Sequence, residues 1–227
     1  MFSLKLCALV ALAGVTMHAQ TSQPVPAVRG IGQATVSAMP DKATVDLAVE
    51  TRAATAQDAA SQNATITAAV LTAVQAILGT GDNIHTLNYS LNPVYTNPPN
   101  GGPATLTGFS VSNTVEVDTG NLALVGKIID TGVQAGATRV LGLTFGLKDP
   151  DPLRQQALQQ ATVQARAHAT TMVTAAGLRL GSVILIVEGT TAVPVGTTVA
   201  AASAATPIQP GTVSVTATVT MDFQILQ

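Results

Sequence analysis

Residues 212–225, TVSVTATVTMDFQI, decide the fold class of this chain. Every second residue from Val213 is apolar, and the residues between them are mostly Thr, Ser, Asp and Gln. This period of two is typical of a strand with one buried face. The predicted buried face consists of Val213, Val215, Ala217, Val219, Met221 and Phe223.

Two similar segments lie near the start of the chain. Residues 43–50 alternate cleanly between apolar and polar, and residues 28–39 place small or apolar side chains on one face. Pro40-Asp41 between them has the composition of a turn. The two segments therefore predict an antiparallel hairpin.

Four further segments are strand-like. Residues 84–95 and 106–117 predict a second hairpin, because a Pro- and Gly-rich stretch at 97–103 separates them. Residues 139–147 and 182–188 predict single strands, since both are rich in apolar and β-branched residues.

A first helix is predicted after Thr55. Thr55 is suited to be its N-cap, and Asp58 lies in the first turn, where a negative charge favours the helix dipole. Gly79 and Gly81 end the segment. The predicted inward stripe consists of Ala59, Ala60, Asn63, Ile66, Ala69, Val70, Ala73, Val74 and Ile77.

Two more helices complete the predicted elements. One covers residues 121–135 and ends at Gly136; the other begins at Asp151-Pro152 and ends at Gly177. The inward residues predicted for the former are Leu122, Val125, Ile128, Ile129 and Val133. The resulting order, ββ-α-ββ-α-β-α-ββ, predicts an α+β fold in which about three helices pack on antiparallel or mixed sheets.

The N-terminal residues have the layout of a secretory signal peptide. Lys5 precedes an apolar run at 6–15, which is too short to span a bilayer. We predict a cleaved leader at 1–19, a flexible tether at 20–27 and one domain at 28–227, located in the periplasm or secreted. Residues 189–211 carry no charge and no periodicity, which predicts a long loop within that domain.

The composition argues against several functional classes. Charged residues make up 10% of the chain, the formal net charge is −2 and there is no basic run, so a nucleic-acid partner is not expected. The only cysteine, Cys7, lies in the leader, and His85 and His168 lack a partner at metal-ligand spacing. We therefore predict no catalytic residue, no metal and no cofactor.

Two tempting motifs have ordinary structural interpretations. Gly30-Ile-Gly32 lacks the third glycine and the following helix of a dinucleotide loop, so its glycines are expected to mark either a bulge or a close backbone approach. Asp149 and Asp151 flank Pro150 at a predicted helix start, where capping is a more ordinary role for them than acid–base chemistry.

Several stretches, taken in order, resemble the SIMPL domain family of bacterial periplasmic and outer-membrane-associated proteins. They are GQATVSAMPDKATVDLAVE at 32–50, IHTLNYSLNPVY at 84–95, GFSVSNTVEV at 108–117, GKIID at 126–130, FGLKD at 145–149, AAGL at 175–178 and TPIQPG at 206–211. The resemblance implies an envelope location, a link to oxidative or envelope stress, and ring-like assembly. The family has no established catalytic residues, so none are implied here.

The candidate interaction residues lie in two places. Tyr89, Tyr95 and Phe109 stand out because aromatic residues are only 3% of the chain, although ordinary cross-strand packing explains them equally well. Val193, Val195 and Val199 belong to the 189–211 loop, which is also explained as a plain Ala/Thr-rich loop.

Two functions follow from these observations. The first is a non-enzymatic, exported envelope protein that self-associates as a homo-oligomer, because 47% of the residues are hydrophobic and few charges keep surfaces apart. The alternative is a periplasmic module that binds a small ligand or an envelope polymer near the Tyr89–Phe109 hairpin.

Overall fold

A computed structural model describes residues 25–99, 101–189, 199–200 and 208–227. The strands are β1 (Ala27–Ala38), β2 (Lys42–Ala53), β3 (Asn83–Thr96), β4 (Thr105–Thr119), β5 (Arg139–Gly146), β6 (Arg179–Glu188), β7 (Val199–Ala200), β8 (Ile208–Gln209) and β9 (Val213–Leu226). The helices are α1 (Ala56–Gln75), α2 (Val125–Gln134) and α3 (Asp151–Ala175), and a 3₁₀ turn at Leu122–Leu124 precedes α2. The predicted α+β class and element order are confirmed.

The strands form two main antiparallel sheets. Sheet A has the order β1-β9-β6, and sheet B has the order β3-β4-β2-β5. The short strands β7 and β8 pair with each other. Helix α3 packs on sheet A, while α1 and α2 pack on sheet B.

The predicted hairpin between the first two strands is wrong. β1 pairs with β9 in sheet A, whereas β2 pairs with β4 and β5 in sheet B. The Pro40-Asp41 turn is fixed to β5, because the Asp41 N–H donates to the Gly146 carbonyl at 3.1 Å and the Lys148 N–H donates to the Asp41 carboxylate at 2.6 Å. The turn thus transfers the chain from one sheet to the other.

Sheet A is held by an unusually close contact with α3. The buried residues of α3 recur at every fourth position, so they form one stripe: Ala157, Ala161, Ala165, Ala169 and Val173. Gly30 and Gly32 of β1 lie directly against the carbonyl groups of Ala165 and Ala161. Of the two alternatives for Gly30-Ile-Gly32, the structure shows the close backbone approach and not the bulge. The predicted buried face of β9 is confirmed.

Sheet B carries the larger apolar core. Val45, Leu47 and Val49 of β2 are fully buried with residues of α1, α2, β4 and β5, among them Val70, Val74, Val117, Ile128 and Phe145. Thr55 caps α1 as predicted, since its hydroxyl accepts the Asp58 N–H at 3.1 Å.

One inward residue of α2 is predicted wrongly. Val133 is 50% exposed, and the buried residue of that turn is Gly132. Since a side chain at 132 would overlap Leu47, glycine lets the helix backbone rest directly on β2. The apolar stripe of α2 therefore ends one residue earlier than its hydrophobicity indicates.

The predicted leader at 1–19 and most of the tether lie outside the described residues, and β1 begins at the last tether residue, Ala27. The predicted 189–211 loop is described at residues 189, 199–200 and 208–211, where it contributes the β7–β8 pair.

Candidate interaction surfaces

Each main sheet ends in two edge strands: β1 and β6 in sheet A, β3 and β5 in sheet B. An edge strand presents unpaired backbone N–H and C=O groups that can pair with another chain. Proteins usually cover or interrupt such edges. In the described residues, each of these four edges is covered by side chains or interrupted by an irregular register.

Polar side chains of α3 cover the β1 edge. The Gln33 N–H donates to the side-chain carbonyl of Gln164 at 3.1 Å. The His168 ring lies with Nδ1 2.7 Å from the Ile31 carbonyl oxygen, and because a carbonyl only accepts, Nδ1 carries the proton. These bonds use backbone groups that a new strand would otherwise need.

Irregularities interrupt the β3 edge. Its register with β4 shifts between Thr86 and Asn88 and again between Val94 and Tyr95, and Pro93 has no N–H to offer. The β5 edge is short and also irregular, because Leu141 bulges out of its register with β2. Bulges and proline both weaken pairing with a further strand.

The β6 edge is also irregular, because its register with β9 shifts between Leu180 and Val183 and between Val183 and Leu185, but its apolar run is exposed. Val183, Ile184, Leu185, Ile186 and Val187 are exposed by 40%, 51%, 49%, 56% and 46%. Leu185 and Val187 lie opposite Asp222 and Thr220 of β9, on one face, while Ile186 lies opposite Met221 on the α3 face. Within the described ranges, β9 is the only strand paired with β6. We name residues Val183–Val187 the β6 edge patch.

The aromatic residues singled out by composition lie along the second hairpin. Tyr89 and Tyr95 are both exposed on β3, but six residues separate them, which is roughly 20 Å at the rise of a strand. Phe109 lies on β4 opposite Pro93 and is half-buried. The three residues thus share the hairpin without forming one compact cluster.

The candidate interaction residues of the predicted 189–211 loop lie mostly outside the described residues. Val193 and Val195 lie outside the described residues, and Val199 belongs to the short strand β7. The β6 edge patch was missed from the sequence. The signal that could have found it is an apolar run without alternation, next to strands that alternate cleanly.

Shallow clefts lie at both ends of sheet B. One, of about 240 Å³, is lined by Phe109 together with Arg52, Ala53, Val94, Thr107 and Gly108. The other, of about 310 Å³, is polar and is lined by Lys42, Gly81, Asn83, Asp118, Thr119, Gly120 and Lys148. Both are smaller than, or at the lower limit of, the volume typical of small-molecule sites.

Two of the charges around the polar cleft, Lys42 and Asp118, pair with each other. Asp118 accepts the Thr44 hydroxyl at 2.6 Å and pairs with Lys42 at 3.0 Å. Partial burial acts to raise the pKa of Asp118, but these two partners and nearby His85 outweigh it and hold the pKa below its usual value. The Asp118 carboxylate is therefore held in its ionised form by the Lys42 ammonium group and the Thr44 hydroxyl.

Other ionisable groups of the described residues also have local partners, as His85 and Asp149 show. No group of three His, Cys, Asp or Glu residues suited to a metal occurs in the part of the chain that the structure describes. His85 faces Glu116 at 3.4 Å. The N-cap residue of α3 is Pro150, and the preceding Asp149 accepts the Asp151 N–H at 3.0 Å, while Asp151 places its charge in the first turn.

Comparison with known proteins identifies the family of this chain. The sequence profile of SIMPL, described as a protein of unknown function (DUF541), matches residues 29–223. The chain belongs to the SIMPL family. The resemblance found in the sequence is thereby confirmed.

SIMPL relatives include the 26 kDa periplasmic immunogenic protein of Brucella melitensis, which is 34% identical over 172 residues, covering 74% of this chain and 68% of the relative. The protein of the same name from Brucella abortus matches to the same extent. The uncharacterized protein YggE of Escherichia coli K12 is 25% identical over 178 residues, covering 78% of this chain and 72% of the relative. None of the helices in the described residues is long and apolar enough to cross a membrane.

Proposed function

We propose that this SIMPL protein is exported to the periplasm and acts there as a self-associating envelope protein without enzymatic activity. The signal-peptide pattern at 1–19 and the periplasmic name of the Brucella relatives support the location. A role in envelope or oxidative stress belongs to the same proposal and is supported by the family resemblance alone.

One observation carries the proposed self-association: large apolar side chains remain exposed in groups, not singly. The β6 edge patch exposes five in succession, and β3 exposes Leu87, Tyr89, Leu91 and Tyr95. Contiguous apolar surface of this kind marks interaction sites in soluble proteins. With only 10% charged residues, the chain has little electrostatic repulsion to keep such surfaces apart.

Sizing of the purified protein tests this proposal. Light scattering coupled to size-exclusion chromatography, in moderate salt and over a concentration series, should report a particle of at least two subunits. A mass that remains that of one subunit at all concentrations would contradict self-association.

The alternative function is a periplasmic module that binds a small ligand or an envelope polymer. The cleft beside Phe109 supports it, because Arg52 offers a cation and Phe109 an apolar surface within one concavity. A monomeric protein whose melting temperature rises with an added envelope oligosaccharide, and whose Phe109→Ala variant loses that rise, would favour the module.

A further inference from the structure

We infer that each subunit consists of two autonomous bodies that turn relative to each other about a pair of connections, which Asp41 holds side by side. Body A comprises β1, α3, β6 and β9; body B comprises residues 42–146, which contain β2–β5, α1 and α2. The inference concerns motion within one subunit, so it does not depend on the proposed self-association.

Each body has a hydrophobic core of its own. One buried cluster lies between α3 and sheet A, and its buried residues all belong to body A. The other lies between sheet B and the helices α1 and α2, and its buried residues all belong to body B. A core of its own is what allows part of a chain to fold as a separate unit.

Body B is also a complete folding unit. Its elements follow in the order β-α-β-β-α-β, and its strands lie in the order β3-β4-β2-β5. This element order is that of the ferredoxin-like motif. The unit is contiguous in the chain, and its length of about 100 residues is that of a domain able to fold alone. Body B is thus inserted whole between β1 and α3.

The inserted body is attached at one place. Its first and last residues, Lys42 and Gly146, pair with each other on β2 and β5. The chain enters through residues 39–41 and leaves through residues 147–150. Each of these connections contains one proline, whose fixed φ leaves few backbone angles free to change. Short segments at the ends of elements are where hinges occur in proteins.

Asp41 holds the two connections together. Its N–H donates to the Gly146 carbonyl at 3.1 Å, and its carboxylate accepts the Lys148 N–H at 2.6 Å. Asp41 and Lys148 are thereby fixed to the end of sheet B. The turning is therefore confined to residues 39–40 and 149–150, and the carboxylate of Asp41 limits its range.

A third contact holds the two bodies in the observed arrangement. Ile208 lies between β6 and β9, so it belongs to a segment that begins and ends in body A, yet its side chain packs on the core of body B. In the described residues, it is the only member of either cluster that packs on the core of the other body. Relative motion is expected between domains that no large apolar interface joins.

Hydrogen exchange of the full-length protein tests whether the bodies are autonomous. Gly32→Ala places a methyl group against the Ala161 carbonyl and so destabilises body A. The amides of β1 and β9 should then lose protection, while those of β2 and β4 keep the protection they have in wild type. Gly146→Ala is the control and should change neither set, because nothing lies within 4 Å of a Cβ atom there. Equal loss of protection in both bodies would show one cooperative unit and overturn the inference.

Distances between spin labels test the turning. In a Cys7→Ser background, labels at the exposed residues Gln62 of α1 and Gln160 of α3 report the distance between the bodies. Labels at Gln155 and Thr171 report a distance within α3, about 24 Å at the rise of a helix. Dilution with unlabelled protein removes distances between subunits. The distribution between the bodies should be broader than the distribution within α3.

Two substitutions should broaden the distribution between the bodies further. Asp41→Ala removes the carboxylate that joins the connections, and Ile208→Ala removes the contact with the core of body B. Glu50→Ala is the matched control, since it removes an ion pair with Arg139 inside body B and should leave the distribution as in wild type. Equally narrow distributions in wild type, Asp41→Ala and Ile208→Ala would overturn the hinge.

Discussion

At the scale of single residues, Gly30 and Gly32 determine how closely α3 approaches sheet A. A Cβ atom at either position would overlap a backbone carbonyl of the helix, that of Ala165 or of Ala161. Backbone cannot move aside as the end of a flexible side chain can. The alanine stripe of α3 and the two glycines therefore form one packing unit.

Gly32→Ala should therefore destabilise the protein. The added methyl group forces α3 away from β1, and overpacking of this kind typically costs about 1–3 kcal/mol. The measurement is the free energy of unfolding in urea, made on a dissociated subunit.

Gly146→Ala is the matched control, because nothing lies within 4 Å of a Cβ atom at that strand position. Its stability should be close to that of wild type. Equal stability of Gly32→Ala and wild type would show that α3 does not lie as close to β1 as described.

At the scale of elements, Asp82 ties the loop after α1 to the loop after β4. Its carboxylate accepts the Gly79 N–H at 2.9 Å and the Gly120 N–H at 3.0 Å. Partial burial acts to raise the pKa of Asp82, but these bonds, the Thr119 hydroxyl and Lys148 together lower it below the ordinary value.

The lowered pKa predicts a pH dependence of stability. The folded protein favours the ionised form of Asp82. The stabilisation that Asp82 adds to the free energy of unfolding is therefore complete above the ordinary aspartate pKa, about 3.9, and is lost as pH falls through the lower folded-state pKa. Asp82→Asn should therefore reduce the melting temperature at pH 7 and have a smaller effect near pH 3. Because the Asp149 carboxylate accepts one N–H that an amide oxygen can also accept, Asp149→Asn should change the melting temperature little. An Asp82→Asn deficit that is the same at both pH values would contradict the assignment.

The elements also show what the sequence could and could not predict. Alternation located β2 and β9 and identified their buried faces, because a period of two reports which side chains share a side of the strand. Alternation carries no information about which strands pair in a sheet, and for this reason β1 was wrongly paired with β2. The exposure of Ile184 and Ile186 could not be predicted for the same reason: an apolar run looks alike in a buried strand and at an open edge.

For the candidate surfaces, the sequence could single out residues but not their arrangement in space. Tyr89 and Tyr95 could be singled out by their rarity, but their separation along β3 depends on the register of the hairpin. The β6 edge patch depends on which strand ends sheet A. That order results from contacts between residues distant in sequence, which local patterns do not encode.

At the scale of the whole molecule, the proposed location makes a prediction about the mature chain. If Lys5 and the apolar run at 6–15 direct export, the protein recovered from the envelope of its native host should begin near Gln20. Intact-mass spectrometry checks this, with the cytoplasmic precursor as the control. A mature protein that retains Met1 would contradict cleavage.

The pairing of the first strand with the last also orders events during synthesis. β9 is the central strand of sheet A, and it follows both of its partners, β1 and β6, in the chain. A ribosome that has not yet reached residue 213 has made β1 and β6 but not the strand that both require. Sheet A is therefore completed only after β9 has been synthesised, and a chain that stops before residue 213 exposes α3 and β1 without their common partner.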